Sequence, residues 1–347
     1  MVLISPLTNG AMKQHTISLL KYGQYKVAFI DKETFSKDNS IQFDSRVRRI
    51  NKGSGFKKVL WSISILQAFR MFQLIKKIES KSIFIANGEF IPNLLILSLL
   101  ARFKGIRVII CWHDVTPHVG KVANYLYWLT ACIHSLIANR VVVHSRYYFN
   151  SLKKGLLYRK KIFFVPLPPY GFDSNTFNIK RPSTPPLFEK KRYYVFLGRL
   201  EYYKGLHNLI RVFSKVKDKK LLISGSGDIK YINSLKSQTK HNENIFISVG
   251  YVEEGEFLGL LSESKALILP YIHASQSVLP YIAASLQVPI ISSDKTGISS
   301  TVKDLGGYVY SSDNELLLLL QSSLRPSIYM EKEYIDEFQK TLNKVVM

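Results

Sequence analysis

The stretch 193–210, YYVFLGRLEYYKGLHNLI, decides how the rest of the chain is read. Tyr194-Val195-Phe196-Leu197 is β-rich and stops at Gly198. Arg199 follows, then Lys204-Gly205, after which Leu206, Leu209, Ile210 and Phe213 recur at helical spacing. Read as strand, glycine turn and helix, the unit puts two cations on a loop at the carboxyl end of a strand. Open α/β sheets bind ligands there, and a helix N-terminus adds its own positive field. The expected client is an anion such as a diphosphate. An ordinary βα turn with solvated Arg and Lys uses the same residues, so both readings stay open on this stretch alone.

Outward from it, strands and helices alternate in both directions. Downstream come a strand at 220–224, the turn Gly225-Ser226-Gly227-Asp228, a helix at 229–239 and a strand at 245–249. A helix at 253–262, a strand at 266–269, a helix at 278–286 and strands at 288–292 and 307–310 follow. Asp228 reads as a helix cap. Upstream, strands are expected at 2–4, 27–30, 82–86, 107–112, 140–143 and 162–165, with helices through Leu20 and over 59–78, 90–103 and 122–137. The segment 46–58 reads as a flexible basic loop. Pro166, Pro168, Pro169, Gly171, Pro182, Pro185 and Pro186 crowd between the two series, as linkers do. The expected organisation is therefore an N-terminal Rossmann-like domain at 1–168, a linker at 169–190, a second Rossmann-like domain at 191–325 and a C-terminal helix at 326–347. Two such domains are expected to face a central cleft that holds the ligand.

Charge is distributed unevenly. Residues 1–170 hold 26 Lys+Arg against 7 Asp+Glu, or +19, while residues 171–347 hold 22 against 18, or +4. A one-sided basic half points to a polyanion, whether anionic lipid headgroups, lipid-linked phosphates or nucleic acid. Arg46, Arg48, Arg49, Lys52, Lys57 and Lys58 lead into a Trp- and Phe-rich helix with Trp61, Phe69 and Phe72, a pattern that suits a membrane surface. The run 90–103 is interrupted by Pro92 and Asn93 and is shorter than the ~20 apolar residues a membrane span needs. Asn9, Lys13, Gln14 and His15 break up any secretory signal. The two cysteines, Cys111 and Cys132, form neither a disulfide framework nor a zinc motif. A cytoplasmic protein, peripheral at the inner face of the membrane, is the expected location.

The motifs of the second half resemble those of family 4 glycosyltransferases, the retaining group with the GT-B fold. The resemblance rests on Gly198-Arg199-Leu200 with Lys204-Gly205, on Gly225-Ser226-Gly227, on Gly250-Tyr251-Val252 and on the block from Pro270 to Ile291. His113-Asp114 and Val143-His144-Ser145 match the first half in order. It implies a metal-independent, retaining transfer with no cofactor. Arg199 and Lys204 would neutralise the leaving diphosphate, helped by backbone N–H groups at Ser277, Val278 and Leu279. Tyr251 and Val252 would frame the base, Gly198 and Gly225 would shape the donor loops, and Gly10 would let the first loop approach closely. His113 would reach the transferring sugar. No Asp-x-Asp occurs in the chain.

Many members of that family carry two glutamates where this chain has Ala274 and Ile282. Ala274-Ser275-Gln276-Ser277 resembles a branch that reads Ala-Ser/Thr-Gln-Ser there, so Gln276 and Ser277 are expected to contact the donor sugar. The implied activity is transfer of a hexose-type sugar from a nucleoside-diphosphate sugar to a lipid-linked or growing polysaccharide acceptor, as in bacterial O-antigen, capsule or exopolysaccharide synthesis. The missing glutamates leave a second reading, a catalytically inactive GT-B scaffold that binds membrane or a partner protein. Nucleic acid is not an expected partner, because no reader module is recognisable.

Overall fold

A computed structural model describes all residues except 8–10, 32–44, 51, 53–55, 114, 117–121, 168–190, 274–276, 295–296 and 328–330, and no side chains at 11–14, 122–124 or 331. The chain divides into two units, Met1–Tyr170 with Lys332–Met347, and Gly171–Glu331. The expected linker at 169–190 lies outside the described residues.

In the first unit the strands are β1 (Val2–Ser5), β2 (Val27–Asp31), β3 (Val47–Ile50), β4 (Ser82–Ile85), β5 (Arg107–Cys111), β6 (Arg140–Val143) and β7 (Ile162–Phe164). They form one parallel sheet in the order β3-β2-β1-β4-β5-β6-β7. Strands such as Ser82–Ile85 are buried on both faces, as parallel sheets require. The helices are α1 (Ala11–Tyr22), α2 (Phe56–Ile63), α3 (Ile65–Lys77), α4 (Pro92–Phe103), α5 (Val122–Ile137) and α6 (Arg146–Lys153). One face packs around Val2, Phe72, Ile83, Leu94 and Val108, the other around Leu3, Leu19, Phe84 and Ile109. The last helix of the chain, Glu331–Val346, adds Phe338, Leu342 and Val345 to the second cluster. Arg107 and Arg140 donate to its final carbonyls at Val346 and Val345, where a helix C-terminus favours cations.

Two expectations are corrected here. The basic loop contains an edge strand, β3, whose Arg48 and Arg49 point to solvent, and charged side chains on an edge deter strand addition. Lys52 is not available to a membrane: it is buried, paired with Asp31 at 2.6 Å and bonded to the Pro6 carbonyl. The single helix expected over 59–78 is two, because Ser64 leaves helical geometry and its Oγ accepts the Gln67 N–H as an N-cap.

In the second unit β8 (Tyr193–Leu197), β9 (Lys220–Gly225), β10 (Ile245–Val249), β11 (Ala266–Leu269), β12 (Ile290–Ser293) and β13 (Tyr308–Tyr310) form a parallel sheet in the order β10-β9-β8-β11-β12-β13. Its helices are α7 (Leu206–Phe213), α8 (Ile229–Thr239), α9 (Glu254–Ser262), α10 (Leu279–Ser285), α11 (Ile298–Asp304) and α12 (Asp313–Gln321), and Glu331–Val346 is α13. Strand order reverses between β8 and β11, and the doubly wound topology opens a crevice at the carboxyl end of such a pair. Both sheets have this Rossmann-type order, β1 and β4 being the corresponding pair in the first unit. The architecture is α/β, with two Rossmann-like domains.

Candidate functional site

The loop after β8 runs straight into the reversal point. Residues Tyr202–Lys204 make a 3-10 turn, and Gly205 follows with φ 69°, a left-handed conformation that favours glycine. The turn is fastened to the end of β11: the Ile272 N–H donates to the Tyr203 carbonyl at 2.9 Å. A Cβ on Gly205 would overlap the Pro270 carbonyl. Gly205→Ala is therefore expected to cost about 2–4 kcal/mol, combining left-handed strain with a backbone clash, and to lower the urea midpoint of unfolding.

That fastening sets Lys204 over Tyr271, with Nζ 3.7 Å from the ring centroid and 4.9 Å from that of Tyr203. Burial lowers the Lys204 pKa to about 8, with Tyr203 opposing the shift and Arg199 adding to it. The ammonium is thus partly desolvated and its attraction for an anion is less screened than in water. Arg199 is exposed, 3.2 Å from Glu201 Oε1, and donates to the Tyr203 hydroxyl at 3.2 Å. Tyr271 is buried, and burial pushes its pKa up while the Ser277 hydroxyl and the Arg199 charge pull it back. Arg199, Lys204, Tyr271 and Ser277 therefore share one neighbourhood. Tyr271 was not legible as a site residue, since a Tyr after a buried strand reads as core.

The neighbouring loops explain the other glycines. The Gly198 N–H donates to Ser224 O, the Leu200 N–H to Ser226 O and the Asp228 N–H to Leu200 O, so the ends of β8 and β9 stay paired beyond the sheet. A Cβ on Gly225 would strike the Gly198 carbonyl, and Gly225 has φ 151°. The glycine motif here serves the approach of two loops to each other. Asp228 caps α8, its Oδ1 accepting the Tyr231 N–H at 2.8 Å. The Gly250 N–H bonds to Gly225 O, which brings the third loop alongside; Tyr251 on it is 86% exposed. At the start of α10 the Leu279 N–H is bonded to Ser277 Oγ and Pro280 has none, leaving the Ser277 and Val278 N–H groups as the donors of that corner with no partner among the described residues. Gly10 and Gln276 lie outside the described residues. Beside the turn, on the α7 side, a cavity of ≈ 360 Å³ is lined by Tyr202, His207, Arg211, Tyr271, Tyr310 and Asp313 among others.

His113 belongs to the first unit and is buried there. Its N–H donates to Glu89 Oε1 at 3.0 Å, and its Nε2 bonds the Ala86 carbonyl at 2.8 Å. Its ring packs against His15 and His144, with centroids 5.0 and 5.4 Å away. Burial pushes the His15 pKa well down and that of His144 to about 3, so these two imidazoles are neutral at pH 7.

Residues 179–318 match the family model described as glycosyl transferases group 1. The match contains Arg199, Lys204, Tyr271 and Ser277. An uncharacterized glycosyltransferase of Methanocaldococcus jannaschii is 24% identical over 152 residues, which are 41% of this chain and 38% of that protein. The chain thus covers well under half of that relative's length. Among solved structures, sucrose-phosphate synthase of Thermosynechococcus elongatus superposes with a TM-score of 0.66 at 15% identity, covering 99% of this chain and 96% of that one. Anabaena HepE, crystallised with UDP and glucose, gives 0.65 at 12% identity, covering 99% and 94%. At these identities the structural likeness speaks for the fold, which is GT-B.

Proposed function

We propose that this protein is a glycosyltransferase that moves a hexose-type sugar from a nucleoside-diphosphate sugar to a lipid-linked or growing polysaccharide acceptor. The observation that carries the reading is Lys204 held over Tyr271 at the strand-order reversal, with Arg199 on the same loop, inside the segment that matches group 1 glycosyltransferases. As the donor's glycosidic C–O bond breaks, negative charge builds on the leaving diphosphate and the sugar becomes oxocarbenium-like. Fixed cations that need no reorganisation lower that barrier. Lys204 supplies a desolvated charge and Arg199 a planar, bidentate one that reaches into solvent. The Ser277 and Val278 N–H groups stand ready for a distal phosphate oxygen, and Tyr251 offers an exposed ring to the base. The transfer we propose needs no metal ion. Retention at the anomeric carbon follows from the family 4 resemblance. The resemblance places His113 at the transferring sugar; its Nε2 is bonded to the Ala86 carbonyl here, and no proton transfer is assigned to it.

The acceptor side of the proposal rests on the first unit. Phe56, Val59, Leu60 and Ile63 on α2, Leu66 and Phe69 on α3, Phe103 on α4 and Leu126 and Leu129 on α5 are all exposed. These helices neighbour one another, and Lys57, Lys58, Arg70, Arg102 and Lys104 are exposed among the apolar side chains. Trp61 and Phe72, which the sequence suggested for the surface, are in the core instead. Exposed apolar and basic side chains in mixture suit an anionic bilayer, where a lipid-linked acceptor would reside. No helix among the described residues is long and apolar enough to cross a membrane. Peripheral attachment at the inner face, in synthesis of a bacterial surface polysaccharide, is the setting we propose.

The test is release of nucleoside diphosphate from UDP-, GDP-, ADP- and dTDP-sugars. One donor class is expected to be turned over and to raise thermal stability; if none binds, the reading fails, and the inactive scaffold takes its place. The pH dependence has a defined sign. Lys204 is cationic below about pH 8 in the free protein, and a bound diphosphate raises its pKa further. Donor affinity is expected to weaken as pH rises through about 8, by up to tenfold per unit, and Lys204→Ala is expected to flatten that slope in calorimetric titrations.

A further inference from the structure

His15 from α1, Cys111 at the end of β5, His113 two residues beyond and His144 just after β6 converge at the carboxyl end of the first sheet, all buried. One donor atom from each lies within 4.8 Å of every other. We propose that these four side chains bind one zinc-type divalent ion.

The spacing fits a tetrahedral ion. With metal–nitrogen bonds of about 2.05 Å and a metal–sulfur bond of about 2.3 Å, tetrahedral edges are about 3.3 Å from nitrogen to nitrogen and about 3.6 Å from nitrogen to sulfur. Here His15 Nε2 and His144 Nε2 are 3.3 Å apart, and Cys111 Sγ is 3.5 Å from His144 Nε2. The tautomers agree as well. His144 Nδ1 donates to the Val165 carbonyl at 2.8 Å, leaving the Nε2 lone pair facing His15 and Cys111. His113 bonds Ala86 O through Nε2, which leaves Nδ1 as its ligand atom. Backbone carbonyls orienting the far side of ligating imidazoles are the usual outer-shell arrangement.

Hydrogen bonding alone serves this cluster poorly. The single lone pair on His144 Nε2 faces both the His15 Nε2 and the Cys111 thiol, and one donor satisfies it. An ion between the lone pairs resolves that competition. On binding, the Cys111 thiol proton leaves to solvent as the Sγ–metal bond forms. A divalent ion with one thiolate carries a net positive charge, and the buried carboxylate of Glu89, on the His113 N–H, offsets it. The ligands come from a helix and from two strand ends rather than from a flexible loop, so the ion would brace the first unit. Arg199 and Lys204 lie in the other unit.

The test is Co²⁺ titration of tag-free protein stripped with chelator, read by absorption, followed by Zn²⁺ competition. One Co²⁺ per chain is expected, with d–d bands of tetrahedral intensity, a thiolate charge-transfer band and bleaching by one equivalent of Zn²⁺. Cys111→Ser, shown folded by circular dichroism, should lose the charge-transfer band and weaken Zn²⁺ at least ~10-fold. Cys132→Ser should leave the spectrum unchanged. If Cys111→Ser does not fold, His144→Asn takes its place and should weaken Co²⁺ by a similar factor. Absence of stoichiometric Co²⁺, a weak octahedral spectrum, or a charge-transfer band that survives Cys111→Ser would each overturn the assignment.

Discussion

Lys204→Ala is expected to lower turnover of the nucleoside-diphosphate sugar by about 10²–10³-fold, and Arg199→Ala by a comparable factor. Each removes a cation facing a diphosphate that is already anionic in the bound donor and gains further charge as the bond breaks, so the loss should appear in donor affinity and, more heavily, in kcat. Lys204 has the stronger case of the two. It is held against Tyr271 and Tyr203 by a turn that is itself bonded to β11, whereas Arg199 is exposed and shares its guanidinium with Glu201. Lys204→Arg is not conservative there, because a planar guanidinium does not fit the place of a compact ammonium above the Tyr271 ring. Single-turnover rates of both variants, with circular dichroism as the folding control, check this. Unchanged transfer in the double Arg199→Ala, Lys204→Ala variant would remove the mechanism.

Phe56→Ser with Ile63→Ser is expected to reduce partition onto anionic vesicles by about 10²-fold or more. A buried apolar side chain contributes about 1.5–3 kcal/mol, and each lysine near an anionic surface about 1 kcal/mol. Both residues stand on α2, 75% and 54% exposed, beside exposed Lys57 and Lys58, so replacing them removes little core packing. Lys57→Gln with Lys58→Gln should weaken binding less and reduce its salt dependence. Vesicle sedimentation across ionic strength separates the contributions. Binding that is indifferent to all four substitutions would move the contact elsewhere on the basic half.

The second sheet was largely legible because its signals are local. A β-rich run ending in glycine, repeated at 193–197, 220–224 and 245–249, dictates the strand and turn series whatever surrounds it. The edge strand β3 was not legible: Val47-Arg48-Arg49-Ile50 has two charges where strands carry apolar residues, and pairing with β2 on one side alone lets them face water. The break at Ser64 was hidden because apolar spacing runs through it, and the cap depends on φ and ψ that the spacing does not encode. Arg199 and Lys204 could be named from the loop's position. Tyr271, over whose ring Lys204 sits, could not, because the contact joins two loops some seventy residues apart. The His15, Cys111, His113 and His144 cluster is invisible for the same reason, since its spacing matches no metal motif and only the sheet brings its members together.

In the proposed mechanism the Arg199–Lys204 loop binds the donor's diphosphate. Calorimetric titration of the wild type and of Lys204→Ala with the nucleoside diphosphate of the preferred donor tests it most directly. A saturable one-to-one isotherm, weakened at least ~10-fold by the substitution and progressively above about pH 8 in the wild type alone, is the predicted result. Equal affinity in both proteins at every pH would contradict it.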